Sequence, residues 1–140
     1  MAVSQRFRIL NTEHLNPEFS AIAENKRYKS LFLQEKLRQL AAYQRIIMRQ
    51  FPRVERHSLC DDIRHTTREL QRLVCRCKKR YYKKTTLEDM DIELDLLREL
   101  VMESYESKYI NAHRFEVWSK HVNEIGKMIG GWIQSIKNKK

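Results

Sequence analysis

Glycine and proline are scarce in this sequence, with 3 and 2 residues among 140. A β-sandwich, a barrel or an α/β fold needs many tight turns, and so few turn-forming residues cannot supply them. Intrinsic disorder is also disfavoured, because 41% of the residues are hydrophobic and they recur with helical periodicity. The length suits one domain with a single core. The sequence therefore predicts one all-α domain with few connections.

The sequence also contains few cysteines and no long apolar run. The three cysteines are an odd number without the spacing of a disulfide framework, which favours a reducing compartment. No apolar run approaches the roughly 20 residues that a membrane span needs, so no membrane partner is expected. Arg6 and Arg8 are not followed by the apolar stretch of a signal peptide. We therefore expect a cytoplasmic location.

Four segments of the chain carry apolar residues at helical spacing. They predict helices at about 26–50, 53–82, 86–109 and 112–137. Thr85 with Glu88 resembles a capping box for the third helix, and Asn111 is the predicted N-cap of the fourth. Similar lengths and short connections predict an antiparallel up-down four-helix bundle over residues 26–138. Residues 1–25 lack a sustained period and are interpreted as an N-terminal extension.

The net charge of +10 is distributed unevenly along the chain. Residues 1–51 carry a charge of +5, residues 52–84 carry +7, residues 85–106 carry −7 and residues 107–140 carry +5. The second predicted helix is therefore the basic one, and the third is acidic. A basic excess of this kind favours a polyanionic partner such as nucleic acid.

The second predicted helix carries arginines at strict four-residue spacing, which we call the arginine ladder. The ladder consists of Arg64, Arg68, Arg72, Arg76 and Arg80, and Lys79, Lys83 and Lys84 fall within the same arc. The apolar residues of this helix centre roughly 150° away, so the ladder should point outward. Tyr81, Tyr82 and the terminal Lys137, Lys139 and Lys140 would extend such a surface.

Two interpretations of the arginine ladder remain open. The plainer one is a solvated face of long side chains. The functional one starts from repulsion, because like charges four residues apart destabilise a helix by a few tenths of a kcal/mol each, and a bound polyanion would offset this. Arginine engages phosphate bidentately and stacks on bases, which suits RNA or single strands but gives no base specificity.

The third predicted helix carries carboxylates opposite its apolar stripe. These residues are Glu88, Asp91, Asp95, Glu99 and Glu106. They form either a solvated face or a surface that meets the basic face of a neighbouring subunit or of a basic protein partner. A divalent-metal site is disfavoured, because no carboxylate or histidine pairs with them across the core.

The three glycines, Gly126, Gly130 and Gly131, lie inside the fourth predicted helix, beside Trp132. Each glycine destabilises the helix by about 1 kcal/mol relative to alanine. Glycine is nevertheless found inside helices where another backbone or a bulky ring packs closely against the helix. Apolar residues outside the first helix's heptad add further surface that one core does not absorb. We therefore predict a homo-oligomer. The alternative is that the glycines only ease packing inside one bundle.

Catalytic signatures are weak throughout the sequence. The five histidines include no pair at i, i+4, and Cys75 and Cys77 lie about 200° apart on a helix, so neither set readily chelates a metal. No glycine-rich phosphate loop is present, and Asp61 and Asp62 have no partnered base. We therefore expect a non-enzyme without cofactor or metal.

Several stretches resemble the accessory variability determinant (Avd) proteins of diversity-generating retroelements. The most specific stretch is residues 123–133, Asn-Glu-Ile-Gly-Lys-Met-Ile-Gly-Gly-Trp-Ile, and residues 94–98, 105–110, 51–56 and 63–64 also match that family's pattern. The resemblance covers roughly residues 28–138. A related family comprises the four-helix proteins of ribosomal RNA intervening sequences, which typically carry a small-residue, proline-containing turn where this chain has residues 74–81. That departure favours the retroelement family.

The resemblance implies a homopentameric barrel of four-helix bundles that binds a reverse transcriptase, its template RNA and the RNA/cDNA hybrid. In that system the protein is a non-catalytic partner in mutagenic complementary-DNA synthesis. The positions expected to contact RNA or polymerase are Arg64, Arg68, Arg72, Arg76, Lys79, Arg80, Lys83 and Lys84. Gly126, Gly130, Gly131 and Trp132 are assigned to packing and assembly. The alternative is a structural bundle of the ribosomal intervening-sequence type with weak RNA or ribosome binding.

Overall fold

The computed structural model describes residues 26–138, and within them it contains four α-helices and no strand. Helix α1 comprises Lys26–Met48, α2 Leu59–Lys79, α3 Lys84–Glu106 and α4 Ala112–Lys137, and a short 3-10 helix, Arg53–Glu55, precedes α2. The predicted extension at residues 1–25 lies outside the described part of the chain, as do Lys139 and Lys140.

The helices form an antiparallel ring in which each one packs against the next. Helix α4 closes the ring against α1, so α1 and α3 are diagonal to each other, as are α2 and α4. Residues 80–83 and 107–111 connect α2 to α3 and α3 to α4, and they are too short to reach a parallel neighbour. Residues 49–58, which include the 3-10 helix, connect α1 to α2 at one end of the bundle, which completes the up-down arrangement. The prediction of an all-α four-helix bundle is confirmed.

The core is built from the apolar stripes that the sequence pattern predicts. Fully buried side chains from all four helices meet along the bundle axis, including Leu37, Leu70, Leu94 and Trp118. Tryptophan is large and carries a donor, so its burial requires an acceptor. That acceptor is Gln44 on α1.

Gln44 links three helices inside this core. Its Oε1 accepts a hydrogen bond of 3.1 Å from Trp118 Nε1 on α4, and its Nε2 donates to Thr67 Oγ1 on α2 at 2.8 Å. Thr67 in turn donates to the Ile63 carbonyl at 2.9 Å. All of these polar groups have partners, so the network fixes the relative positions of α1, α2 and α4 without leaving an unpaired donor.

The helix starts agree with the sequence at one end of the molecule and differ at another. Asn111 caps α4 as predicted, because its side chain accepts a 2.8 Å hydrogen bond from the Arg114 amide. The capping box is wrong: Thr85 lies inside α3, which begins at Lys84, and no side chain caps that helix start.

The helix ends also differ from the predicted boundaries. Helix α2 ends at Lys79 rather than at residue 82, because Arg80 adopts an extended backbone with φ −88° and ψ 144°. Helix α3 ends at Glu106 rather than at residue 109, in a Schellman motif. There the Tyr109 amide donates to the Ser104 carbonyl at 3.0 Å, and Lys108 takes a φ of 66°, where glycine is the usual residue.

None of the helices in the described residues is long and apolar enough to span a membrane.

Candidate nucleic-acid interface

All five arginines of the ladder are exposed. Arg64, Arg68, Arg72 and Arg76 lie on α2, with about 18 Å of helix between the first and the last, and Arg80 follows the end of the helix. The prediction that the side chains of the ladder point outward is therefore confirmed. Lys79 and Lys84 are exposed too, at the end of α2 and the start of α3.

The ladder has few acidic partners. Arg64 pairs with Asp61 at 2.7 Å and Arg72 pairs with Glu69 at 3.2 Å, whereas Arg68 bonds only to the amide oxygen of Gln71 at 2.9 Å. Exposed pairs of this type contribute about 0–1 kcal/mol, so a phosphate can displace them. Within the described chain, four cations of the ladder and its arc have no hydrogen bond or ion pair through their side chains. These are Arg76, Lys79, Arg80 and Lys84.

A groove between α1 and α2 adds arginines that the sequence reasoning missed. Its lining contains seven arginines and one carboxylate. The arginines are Arg38 and Arg45 from α1, Arg49 just after the end of α1, Arg56 from the turn before α2, and Arg64, Arg68 and Arg72 from the ladder. We call this the arginine groove. Arg45 borders every part of it, and its side chain has no ion pair within the described chain.

Among the residues that the structure describes, Asp61 is the one carboxylate in the lining of the arginine groove. Its hydrogen bond with Arg64 holds the pKa of the Asp61 carboxyl below its ordinary value, so it is ionised at neutral pH. Seven guanidinium groups line the groove with this carboxylate, and Glu35 and Glu69 pair with Arg38 and Arg72 at 2.5 and 3.2 Å, so the groove keeps a net positive charge among the described residues. Such a groove concentrates polyanions near the surface and accelerates their association.

Lys83 does not lie on the outward arc where it was predicted. Only 8% of its surface is exposed, and its ammonium donates a hydrogen bond to the Cys77 carbonyl near the end of α2. The prediction assumed that α2 continues to residue 82, and the chain instead turns after Lys79. A buried cation at a helix C-terminus neutralises its negative dipole end and satisfies a free carbonyl. Lys83 therefore stabilises the α2–α3 turn, and its ammonium does not face a ligand.

The predicted acidic positions on α3 are all exposed. Glu88, Asp91, Asp95, Glu99 and Glu106 face solvent. Two apolar side chains lie among them, Ile92 at 65% exposure and Leu96 at 48%. Nearby, burial, together with the charges of Glu69 and Asp89, raises the pKa of Glu93. This face of α3 combines carboxylates with apolar side chains, a mixture that suits a protein partner better than a nucleic acid.

The three glycines of α4 have different surroundings. A Cβ at Gly126 would lie 2.5 Å from Arg98 Nη2 and 3.3 Å from Leu94 Cδ2, so this glycine makes room for α3. A Cβ at Gly130 or Gly131 would have no atom of the described chain within 4 Å. Packing inside the bundle therefore explains Gly126 and does not explain the other two. Trp132 is 3% exposed and belongs to the core.

The described residues contain no group of three or more histidine, cysteine or acidic side chains that could hold a metal ion. Cys60 and Cys77 are buried, Cys75 is exposed, and all three are free thiols. Burial raises the pKa of the Cys60 thiol, although Arg64 partly opposes the effect, so Cys60 is not an activated nucleophile. The most developed feature of the surface is its arginine groove.

Comparison with known proteins agrees with the sequence resemblance. No curated protein and no solved structure matches the chain. Residues 31–136 match the protein family described as bAvd-like, a match that spans all four helices of the bundle. Since it covers most of the 140 residues, the chain belongs to the bAvd-like family.

Proposed function

We propose that this chain is a non-catalytic accessory subunit of a diversity-generating retroelement. In this role it binds the reverse transcriptase and the template RNA, and it supports mutagenic complementary-DNA synthesis (mutagenic retrohoming). Membership in the bAvd-like family supports the accessory role. The single observation that carries the RNA contact is the arginine groove, whose described lining contains seven arginines and one carboxylate.

The arginine groove suits a phosphate backbone for geometric reasons. Arg45 from α1 and Arg68 from α2 line the same part of it, so one backbone segment can receive guanidinium groups from both sides. Arginine forks bind phosphate oxygens in pairs, and each phosphate that is neutralised releases condensed counterions. The cations beyond the groove extend the positive surface toward the α2–α3 turn. They are Arg76, Lys79, Arg80 and Lys84.

The same proposal includes a homo-oligomer, which the family resemblance implies to be a pentamer. Gly130 and Gly131 support it, because within the described chain these two helix-interior glycines leave open space over the backbone of α4. A groove lined by Phe32, Met128 and Trp132 lies beside Gly131 and offers apolar surface to a second copy.

The acidic face of α3 is assigned to a protein contact, either with a neighbouring subunit or with the polymerase. Its carboxylates complement basic residues, and Ile92 and Leu96 supply apolar area at the centre. A contact that joins different faces of two identical chains is heterologous, and such contacts close into rings when the rotation allows it.

The salt dependence of RNA affinity tests the RNA contact. We would compare the full chain with R45A/R68A, in which neither deleted arginine has a carboxylate partner. The matched control is K120A/K127A, which removes the same charge from exposed positions on α4, diagonal to α2. For the wild type, log K should fall steeply with log salt. R45A/R68A should reduce that slope by about 0.7–0.9 per arginine, and the control should leave it nearly unchanged.

Two results would contradict the RNA contact. A flat salt dependence for the wild type would show that the surface is only solvated, as the plainer interpretation of the ladder holds. Equal slope changes in the two double variants would show that net charge matters and that the arginine groove does not. If the chain bound ribosomes rather than the template RNA and polymerase, the ribosomal intervening-sequence alternative would replace the proposal.

A further inference from the structure

The turn between α2 and α3 displays two adjacent aromatic side chains. Tyr81 is 81% exposed and Tyr82 is 84% exposed. Their ring centroids lie 4.9 Å apart at an interplanar angle of 83°. Aromatic rings bury large apolar areas in most folded proteins, and leaving two of them in water forgoes that stabilisation. Both rings are therefore accessible to a ligand that approaches from outside the chain.

The chain holds this turn in place from both sides. The Arg80 amide donates to the Arg76 carbonyl at 3.1 Å, and the buried ammonium of Lys83 binds the Cys77 carbonyl. On the other side, the Lys83 carbonyl accepts a 2.9 Å hydrogen bond from the Leu87 amide in the first turn of α3. Within this fixed turn Lys83 is buried, whereas the two tyrosines before it are exposed.

All charged residues near the two tyrosines in the sequence are basic. No aspartate or glutamate occurs between Glu69 and Glu88. Exposed cations flank the rings on both sides, with Lys78, Lys79 and Arg80 before them and Lys84 after them. Aromatic rings beside unpaired cations are the combination by which proteins bind single-stranded nucleic acid, since bases stack on the rings and phosphates meet the charges.

We propose that Tyr81 and Tyr82 stack on unpaired bases of RNA whose phosphates occupy the arginine groove. This inference rests on the proposed RNA contact and deepens it by naming the form of nucleic acid that is bound. In a duplex the faces of the bases are covered by their neighbours, so only single-stranded segments can use the tyrosines. The near-perpendicular rings present two separate faces, and each accepts its own base. The chain therefore prefers single-stranded RNA to duplex RNA, without sequence specificity.

The test compares three fluorescent probes of equal length. They are a 12-nucleotide oligoadenylate RNA, an abasic oligomer with the same backbone, and a 12-base-pair RNA duplex. The full chain carrying Y81A/Y82A should bind the oligoadenylate at least tenfold more weakly, because each base stack on an aromatic ring is worth about tenfold or more in affinity. Its affinities for the abasic oligomer and the duplex should stay within about threefold of wild type.

Two further variants complete the experiment. Y81F/Y82F keeps the rings and should retain the single-strand preference. V54A removes an apolar side chain of similar exposure, 81%, from the 3-10 helix and should have no effect on any probe. The salt slope of Y81A/Y82A should match that of the wild type, because no charge has been removed.

The outcomes separate the stacking proposal from the RNA contact itself. If Y81A/Y82A binds oligoadenylate like the wild type while R45A/R68A is weakened, stacking is wrong and the arginine groove stands. If all three probes weaken equally in Y81A/Y82A, the tyrosines maintain the turn and do not touch bases. If RNA binding is unchanged but the polymerase no longer co-purifies, the pair is a protein contact. If R45A/R68A also binds normally, the proposed RNA contact fails first.

Discussion

Gly130 and Gly131 allow a sharp test of assembly, because their substitution affects one chain and an oligomer in opposite ways. Within the described chain a Cβ at either position meets nothing within 4 Å. Leucine forms helix better than glycine by about 0.7–1 kcal/mol per residue, so G130L/G131L should stabilise an isolated bundle by roughly 1.5–2 kcal/mol. For a domain of this size that corresponds to a rise of about 5–7 °C in Tm.

In an oligomer that packs at these glycines, the same two leucines would occupy the space of the second copy. Light scattering after gel filtration should give a multiple of 17.0 kDa for the wild type and about 17 kDa for G130L/G131L. The control H113L places a leucine on the same helix about 25 Å away and should keep the assembled mass.

Three results would refute this reasoning. A wild-type mass of 17 kDa would exclude the oligomer. An unchanged oligomer in G130L/G131L would mean that the glycines lie outside the interface. A loss of helical circular dichroism in the variant would show that the space above the two glycines is filled within one chain.

The remaining predictions concern the stability of the bundle. Replacing Gln44 with leucine leaves the buried Trp118 N–H without an acceptor and should cost about 1–3 kcal/mol in urea unfolding, so an unchanged midpoint would contradict the network. Burial lowers the pKa of His121 below its ordinary 6.5, so the unfolded chain binds the proton more readily and stability should fall as pH drops below about 6.5. H121N should flatten that part of the stability profile, and an identical profile in both proteins would assign it elsewhere. K108G should stabilise the chain by about 1 kcal/mol, because glycine adopts the φ of 66° without strain, and a destabilised variant would refute this.

The fold could be predicted because the apolar spacing is strong in every helix. Helical spacing in the sequence puts Leu37, Leu70, Leu94 and Val122 on the apolar stripes of their helices, and all four are buried. Asn111 was recognised as a cap because its side chain acts locally, on an amide three residues ahead. Features that depend on contacts within one helix, such as its apolar stripe and its N-cap, can therefore be predicted without the tertiary structure.

The helix ends were missed because their cause is tertiary or lacks a sequence cue. Glycine usually marks a Schellman motif, but here Lys108 occupies the left-handed position, so nothing in the sequence indicated that α3 stops at Glu106. Lys83 was predicted to be an outward cation, since a lysine after several basic residues has no feature that distinguishes it. Its burial follows from the turn of the backbone after Lys79.

The sequence predicts the arginine ladder of the candidate site but not the arginine groove. The arginine ladder follows from spacing on one helix, whereas the arginine groove exists only because α1 packs beside α2. Arg38, Arg45 and Arg49 lie seven and four residues apart, a spacing that predicts one face of the first helix from the sequence alone, although Arg49 lies just beyond the end of α1. The difference between Gly126 and the other two glycines could not be predicted, because it depends on where Arg98 of the neighbouring helix lies.

Co-purification with the reverse transcriptase and its template RNA tests the central claim most directly. The full chain would be expressed together with the polymerase and the RNA of its retroelement and separated by gel filtration. We expect the three components to elute as one complex for the wild type and K120A/K127A, and R45A/R68A to lose RNA at lower salt than either. If the wild-type chain elutes alone while the polymerase retains its RNA, the accessory role proposed for this protein is wrong.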